Sequence, residues 1–165
     1  AAVHKNILLA RFNDHDAWKK NQYDHIDIWW SGHENNGDLM LILAYMLTLN
    51  RQWENARIVI RSVVDTPAEE AALRGGIEAS LAEARIEGTV EIYLRNKQEF
   101  TTILQRESSG ADIVFLGLKR TQPEEEERQA AKLEKMSKVG KMVVFVQNNS
   151  MPEMLPILLR AGNGE

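Results

Sequence analysis

Five short, nearly unbroken runs of apolar and β-branched residues recur along the chain. They are residues 26–30 (IDIWW), 56–64 (ARIVIRSVV), 89–94 (TVEIYL), 111–118 (ADIVFLGL) and 141–146 (KMVVFV). Runs of this kind are what strands buried on both faces look like. The segments between them carry helical spacing, and strand–helix alternation implies right-handed crossovers and a parallel sheet. The expected fold class is therefore α/β, a doubly wound, mainly parallel five-stranded sheet. A further run, residues 6–12 (NILLARF), precedes the five and is followed by NDHDAWKKNQYD, too irregular for a crossover helix. It reads as an extra N-terminal edge strand, one that can run antiparallel.

Helix starts are marked by capping chemistry. Thr66-Pro67-Ala68-Glu69 is a capping box with Pro at the first helical position, Ser150-Met151-Pro152-Glu153 repeats the logic, and Asn96-Lys97-Gln98-Glu99 is a weaker version. In the helix after Thr66, Leu73, Ile77, Leu81 and Ala84 share one face. Gly75 and Gly76 interrupt it at a cost of about 1 kcal/mol each relative to Ala, which suggests close packing there. The segment PEEEERQAAKLEKMSKVG reads as a solvated helix with a thin apolar stripe.

The first helix, expected over residues 38–50, is different. Its LMLILAYML is apolar on nearly every face, so either the N-terminal segment or a partner must cover its outer side. The whole of 1–165 reads as one domain. Residues 1–25 form the edge strand and a polar connection, 26–150 the βα repeats, and 151–165 a C-terminal segment.

Composition narrows the classes. A chain of 165 residues, 44% hydrophobic, suffices for one core, and a net charge of -4 argues against a nucleic-acid partner. There is no cysteine, hence no disulfide, thiol nucleophile or cysteine metal site, which suits a reducing compartment. The start of the chain lacks the pattern of a signal peptide. The greasiest stretch, residues 39–49, is about half the roughly 20 residues needed to span a bilayer, so no direct membrane insertion is expected.

In open α/β sheets, ligands bind beyond the carboxyl ends of the strands, where strand order reverses. The first such loop, SGHENNGD at residues 31–38, has two glycines before a helix. It lacks both the GxxxxGK[ST] lysine and GxGxxG spacing, and Glu34 and Asp38 put negative charge where a phosphate would sit. A structural turn with Asn36 or Asp38 as helix cap is the simpler reading. Glu69, Glu70, Glu99, Glu124 to Glu127 and Glu153 likewise occupy first turns of helices, where they satisfy the helix dipole and compete with a bound anion.

The N-terminal third is rich in Asp14, His15, Asp16, Asp24, His25, Asp27, His33 and Glu34, but no HExxH-type spacing joins them. No GxSxG elbow is present, and Ser31 beside His33 is a poor dyad because sequence neighbours rarely align in space. Trp29 and Trp30 should alternate across the sheet, as a packed strand end rather than a platform for a base. No catalysis, cofactor or metal is expected.

With GADIVFLGLKR as its fourth strand, this order resembles the universal stress protein fold. In the nucleotide-binding members of that family, the strand leads into a glycine-rich phosphate loop. Here Gly117 is followed by LKRTQPEEEERQ, without further glycines, which argues against ATP. The string IDIWW, then NGDLMLILAYML, then ARIVIRSVV resembles more specifically the cytosolic C-terminal domain of cation-chloride cotransporters. It also resembles that of their prokaryotic relatives in the amino acid–polyamine–organocation permease superfamily. Ile26, Asp27, Ile28, Trp29, Trp30, Gly37, Leu39, Leu41, Leu43, Tyr45 and Leu47 carry the resemblance as structural or interface positions. It implies a regulatory, homodimerising, non-catalytic domain on the cytoplasmic side of the cell membrane, whose partner is a transporter membrane domain outside this chain. A stand-alone nucleotide-binding stress protein is the alternative.

Overall fold

The structure, a computed structural model, describes residues 5–31, 36–120 and 122–149. In chain order its elements are β1 (Ile7–Phe12), β2 (His25–Trp29), α1 (Asn36–Thr48), β3 (Arg57–Val64), α2 (Pro67–Ala84) and β4 (Thr89–Leu94). They continue with α3 (Phe100–Ser108), β5 (Ile113–Gly117), α4 (Glu126–Met136) and β6 (Met142–Gln147). One six-stranded sheet runs in the order β1-β6-β5-β2-β3-β4. Of its five pairs of neighbouring strands four are parallel, and at the edge β1 lies antiparallel to β6. Strand order reverses at β2, which pairs with β3 on one side and β5 on the other. The expected α/β class and added edge strand are both present.

Alternation along each strand divides the core in two. Ile26, Ile28, Ile58, Ile60, Ile113, Phe115, Val144 and Val146 face α1 and α2, where they meet Leu39 to Ile42, Ile77 and Leu81. Trp29, Val114, Leu116, Val143 and Phe145 face α3 and α4, against Ile103, Leu104 and Met136. The polar connection after β1 is one 3-10 turn, Ala17–Lys19, and is tied to the α1 side by a Tyr23–Trp53 stack at 4.2 Å. The Thr66 capping box forms as written, with the Glu69 amide donating to Thr66 Oγ1 and the Glu69 carboxylate accepting from the Thr66 amide.

Four expectations need correcting. First, α3 begins at Phe100 rather than near Asn96, because Asn96 and Lys97 take left-handed φ of 47° and 64° and turn the chain first. Second, Gly75 and Gly76 pack against nothing: both are exposed, and an added Cβ would meet no atom within 4 Å. Third, the N-terminal strand does not cover α1, since every residue of β1 is itself exposed at the far edge of the sheet.

The apolar α1 is instead largely buried from Asn36 to Ala44, and of its large apolar side chains Tyr45, Met46 and the following Leu49 stand out in solvent. Fourth, the carboxamide of Asn36, one of the two cap candidates with Asp38, bonds instead to the loops after β5 and β6, as described below. The second capping box at Ser150, the acidic start at Glu153, the C-terminal segment 151–165, and His33 and Glu34 lie outside the described residues.

Candidate functional site

The switch point between β2 and β5 is the crevice where this fold class places ligands. Among the described residues, Asn36 and Trp30 stand at this corner. Asn36, in the first turn of α1 and 3% exposed, donates from Nδ2 to the Leu118 carbonyl at 2.9 Å. Its Oδ1 accepts from the Asn148 amide at 2.8 Å. One carboxamide thus joins the loops that follow β5 and β6, and its Nδ2 lies 3.1 Å from where a Cβ on Gly117 would stand. Gly117 is therefore needed for Asn36 to lie flat on the strand end, a different use from approach to a phosphate. Beside it, the Trp30 indole lies across Gly37, so the two glycines of this corner make room for side chains.

On the α3 side of β2 lies a chain of buried polar groups. Asp27 is fully buried. The Ser108 hydroxyl donates to its Oδ2 at 2.5 Å, and Trp29 Nε1 donates to Ser108 Oγ at 2.9 Å. Arg61 Nε stands 3.0 Å from Asp27 Oδ2 and His25 Nε2 2.9 Å from Oδ1, at charge-pair distance without hydrogen-bond alignment. Arg61, 5% exposed, also donates to Glu91 at 2.5 Å and to the Tyr93 hydroxyl, which donates on to Glu91 at 2.7 Å. Burial works to lower the Arg61 guanidinium, but Asp27, Tyr93 and Glu91 outweigh it, and its pKa is raised. Burial, then the bond to Glu91, raise the Tyr93 phenol well above its ordinary value. Asp27, Glu91 and, at 3.9 Å, Glu107 converge on the one Arg61 guanidinium, so the cluster ties β2, β3, β4 and α3 together.

A second anchor sits at the opposite end of the sheet. Asp112, 4% exposed, accepts from Lys141 Nζ at 2.6 Å, from Lys20 Nζ at 3.3 Å, and from the Asp24 and His25 amides at 2.8 and 3.2 Å. Burial alone would raise this carboxyl; the bonds from Lys141, the Asp24 amide and Lys20 outweigh it, and it lies below the ordinary carboxylate value.

The signature residues therefore separate. Ile26, Ile28, Leu39 and Leu41 are core of the α1 side, with Leu43 and Leu47 packed at its margin, while Tyr45 is exposed. Trp29 and Trp30 lie on opposite faces as expected. Asp27 belongs to the charge cluster with His25 and Trp29, while its members Arg61, Ser108, Glu91 and Tyr93 were not singled out from sequence. The readable signal was one buried charge of each sign, in IDIWW and in ARIVIRSVV. Of the described members of the histidine- and carboxylate-rich third, His25 and Asp27 come together in this site. Among the described residues, no three His, Asp or Glu gather as a cation site.

No protein-family model and no curated protein matches the sequence. Among solved structures, the chain is similar to the crystal structure of the cytoplasmic domain of a prokaryotic cation chloride cotransporter. The TM-score is 0.66 and the identity 16%, over 92% of this chain and 56% of that one. At that identity the likeness is one of fold, and this chain spans little more than half the length of the other. Among the described residues, no helix is long and apolar enough to cross a membrane.

Proposed function

We propose that this chain is a non-catalytic regulatory and dimerising domain of a membrane transporter, of the cation-chloride cotransporter or amino acid permease kind. It would work on the cytoplasmic side of the membrane, on a fold of universal-stress-protein type. The observation that carries the reading is the shared fold with a cotransporter's cytoplasmic domain over 92% of this chain. The switch-point corner supports it: Asn36 and Trp30 stand where a nucleotide would need room, and acidic residues stand at the first turns of α2 and α4. The partner is then the transporter's membrane part. The gene tests this, since the reading expects the reading frame to continue beyond Ala1 through several apolar spans of about 20 residues. A frame without spans on either side overturns it.

The second reading, a stand-alone nucleotide-binding stress-type protein, is favoured by the strand order, which places a switch point between β2 and β5. Calorimetry with millimolar MgATP separates the two. The transporter reading expects no heat of binding, and a micromolar dissociation constant would promote the nucleotide reading in its place.

A further inference from the structure

The two edges of the sheet are built differently. In β4 every residue after Thr89 is at least half-buried, and Glu91 sets a charge in the middle of the strand. In β1 all six residues are exposed, among them Ile7 at 40%, Leu8 at 50%, Leu9 at 53% and Phe12 at 38%. Edge strands are ordinarily guarded by charge, proline, a bulge or a covering element. Between Ile7 and Phe12 the one charge is Arg11, and its guanidinium is drawn back onto Ser137 Oγ at 2.9 Å. Pairing with β6 runs without a bulge from Ile7–Gln147 to Phe12–Met142. This edge is long, regular and apolar.

We propose that β1 pairs antiparallel with β1 of a second copy of this chain, joining two six-stranded sheets into one. The inference rests on the dimerising reading above and names its surface. Only an extended backbone can continue a strand edge, and this strand is complementary to itself. Side chains alternate between faces, so a two-fold axis normal to the sheet must pass through a residue for like faces to match.

With the axis at Ala10, Leu8 of each copy comes opposite Phe12 of the other. Both belong to the α1 face, since they pair with Val146 and Met142 of the α1-side core. Leu9 then falls opposite Arg11 on the other face, so no like charges are opposed. Six residues a side is well short of the roughly 20–30 of a standard interface, so the association is weak and depends on concentration.

Sedimentation velocity of the chain from about 10 μM to about 1 mM, a span matched to weak association, tests the proposal. Wild type should shift from monomer to dimer, and the amides of residues 7–12 should gain hydrogen-exchange protection over the same range. Leu8→Lys should move the midpoint at least tenfold and melt like wild type, with Leu9→Lys as a second edge variant. Met46→Lys, on the exposed end of α1, should change nothing. A dimer untouched by both edge variants, or lost on Met46→Lys, overturns the edge contact and leaves dimerisation standing. A wild type monomeric throughout overturns both, and leaves β1 to a strand from another polypeptide.

Discussion

Trp30 lies face-on across Gly37, so that a Cβ on Gly37 would stand 2.6 Å from Cε2 of the indole and 2.8 Å from Cδ2. The contact is with the rigid body of the ring, which cannot yield as the tip of a flexible side chain would. Gly37→Ala should therefore destabilise the fold by about 1–3 kcal/mol through overpacking. Urea denaturation measures it. Adding Trp30→Leu should return part of the loss, and a single mutant as stable as wild type would mean the ring moves freely.

The paired glycines of α2 predict the opposite sign. Gly75 and Gly76 are helical and exposed, and an added Cβ would meet nothing within 4 Å. Replacing either with Ala removes a helix penalty of about 1 kcal/mol and restricts the unfolded chain. Each variant should raise the urea midpoint with unchanged slope. A lowered midpoint would show that this face of α2 needs its glycines in the isolated chain.

Other features mark what could be read from the sequence. The six strands were legible because their apolar runs are local, and the Thr66 cap because it lies within four residues. Even the edge position of β1 followed from the polar stretch after it. Asn36 was illegible: its partners Leu118 and Asn148 lie 82 and 112 residues away, and locally it looks like any helix cap. Asp112 hid at the start of an apolar run for the same reason, with Lys20 and Lys141 distant from it on both sides. The missed start of α3 is local but conformational, since Asn96 tolerates left-handed backbone as readily as it caps a helix.

The Asp27–Arg61 pair should behave as a unit. Both side chains are buried, so removing one partner leaves an uncompensated charge at a cost of about 3–5 kcal/mol. Asp27→Leu and Arg61→Met should each fall in that range. The double variant should cost less than the sum by 1 kcal/mol or more, the scale on which contacting residues couple. Additive single losses would mean that Arg61 is held by Glu91 and Tyr93 alone, and that Asp27 serves Ser108.

Asp112 supplies a pH dependence whose sign follows from its environment. Its carboxyl lies below the ordinary value in the folded chain, because Lys141, the Asp24 amide and Lys20 hold the charged form against burial. The unfolded chain then binds a proton at higher pH than the folded one. The stabilisation is complete above the ordinary aspartate value, about 4, and is lost as pH falls through the folded value. Asp112→Asn keeps the shape and removes the charge, so it should be less stable than wild type at pH 7 by about 1–3 kcal/mol. The gap should close steadily below about pH 4, as wild type loses the same charge by protonation. Paired urea titrations of the two proteins from neutral to acid pH isolate the residue from the other carboxylates, which titrate equally in both. A gap that stays constant into acid would mean that Asp112 works by hydrogen-bond geometry, with the two lysines contributing nothing through charge.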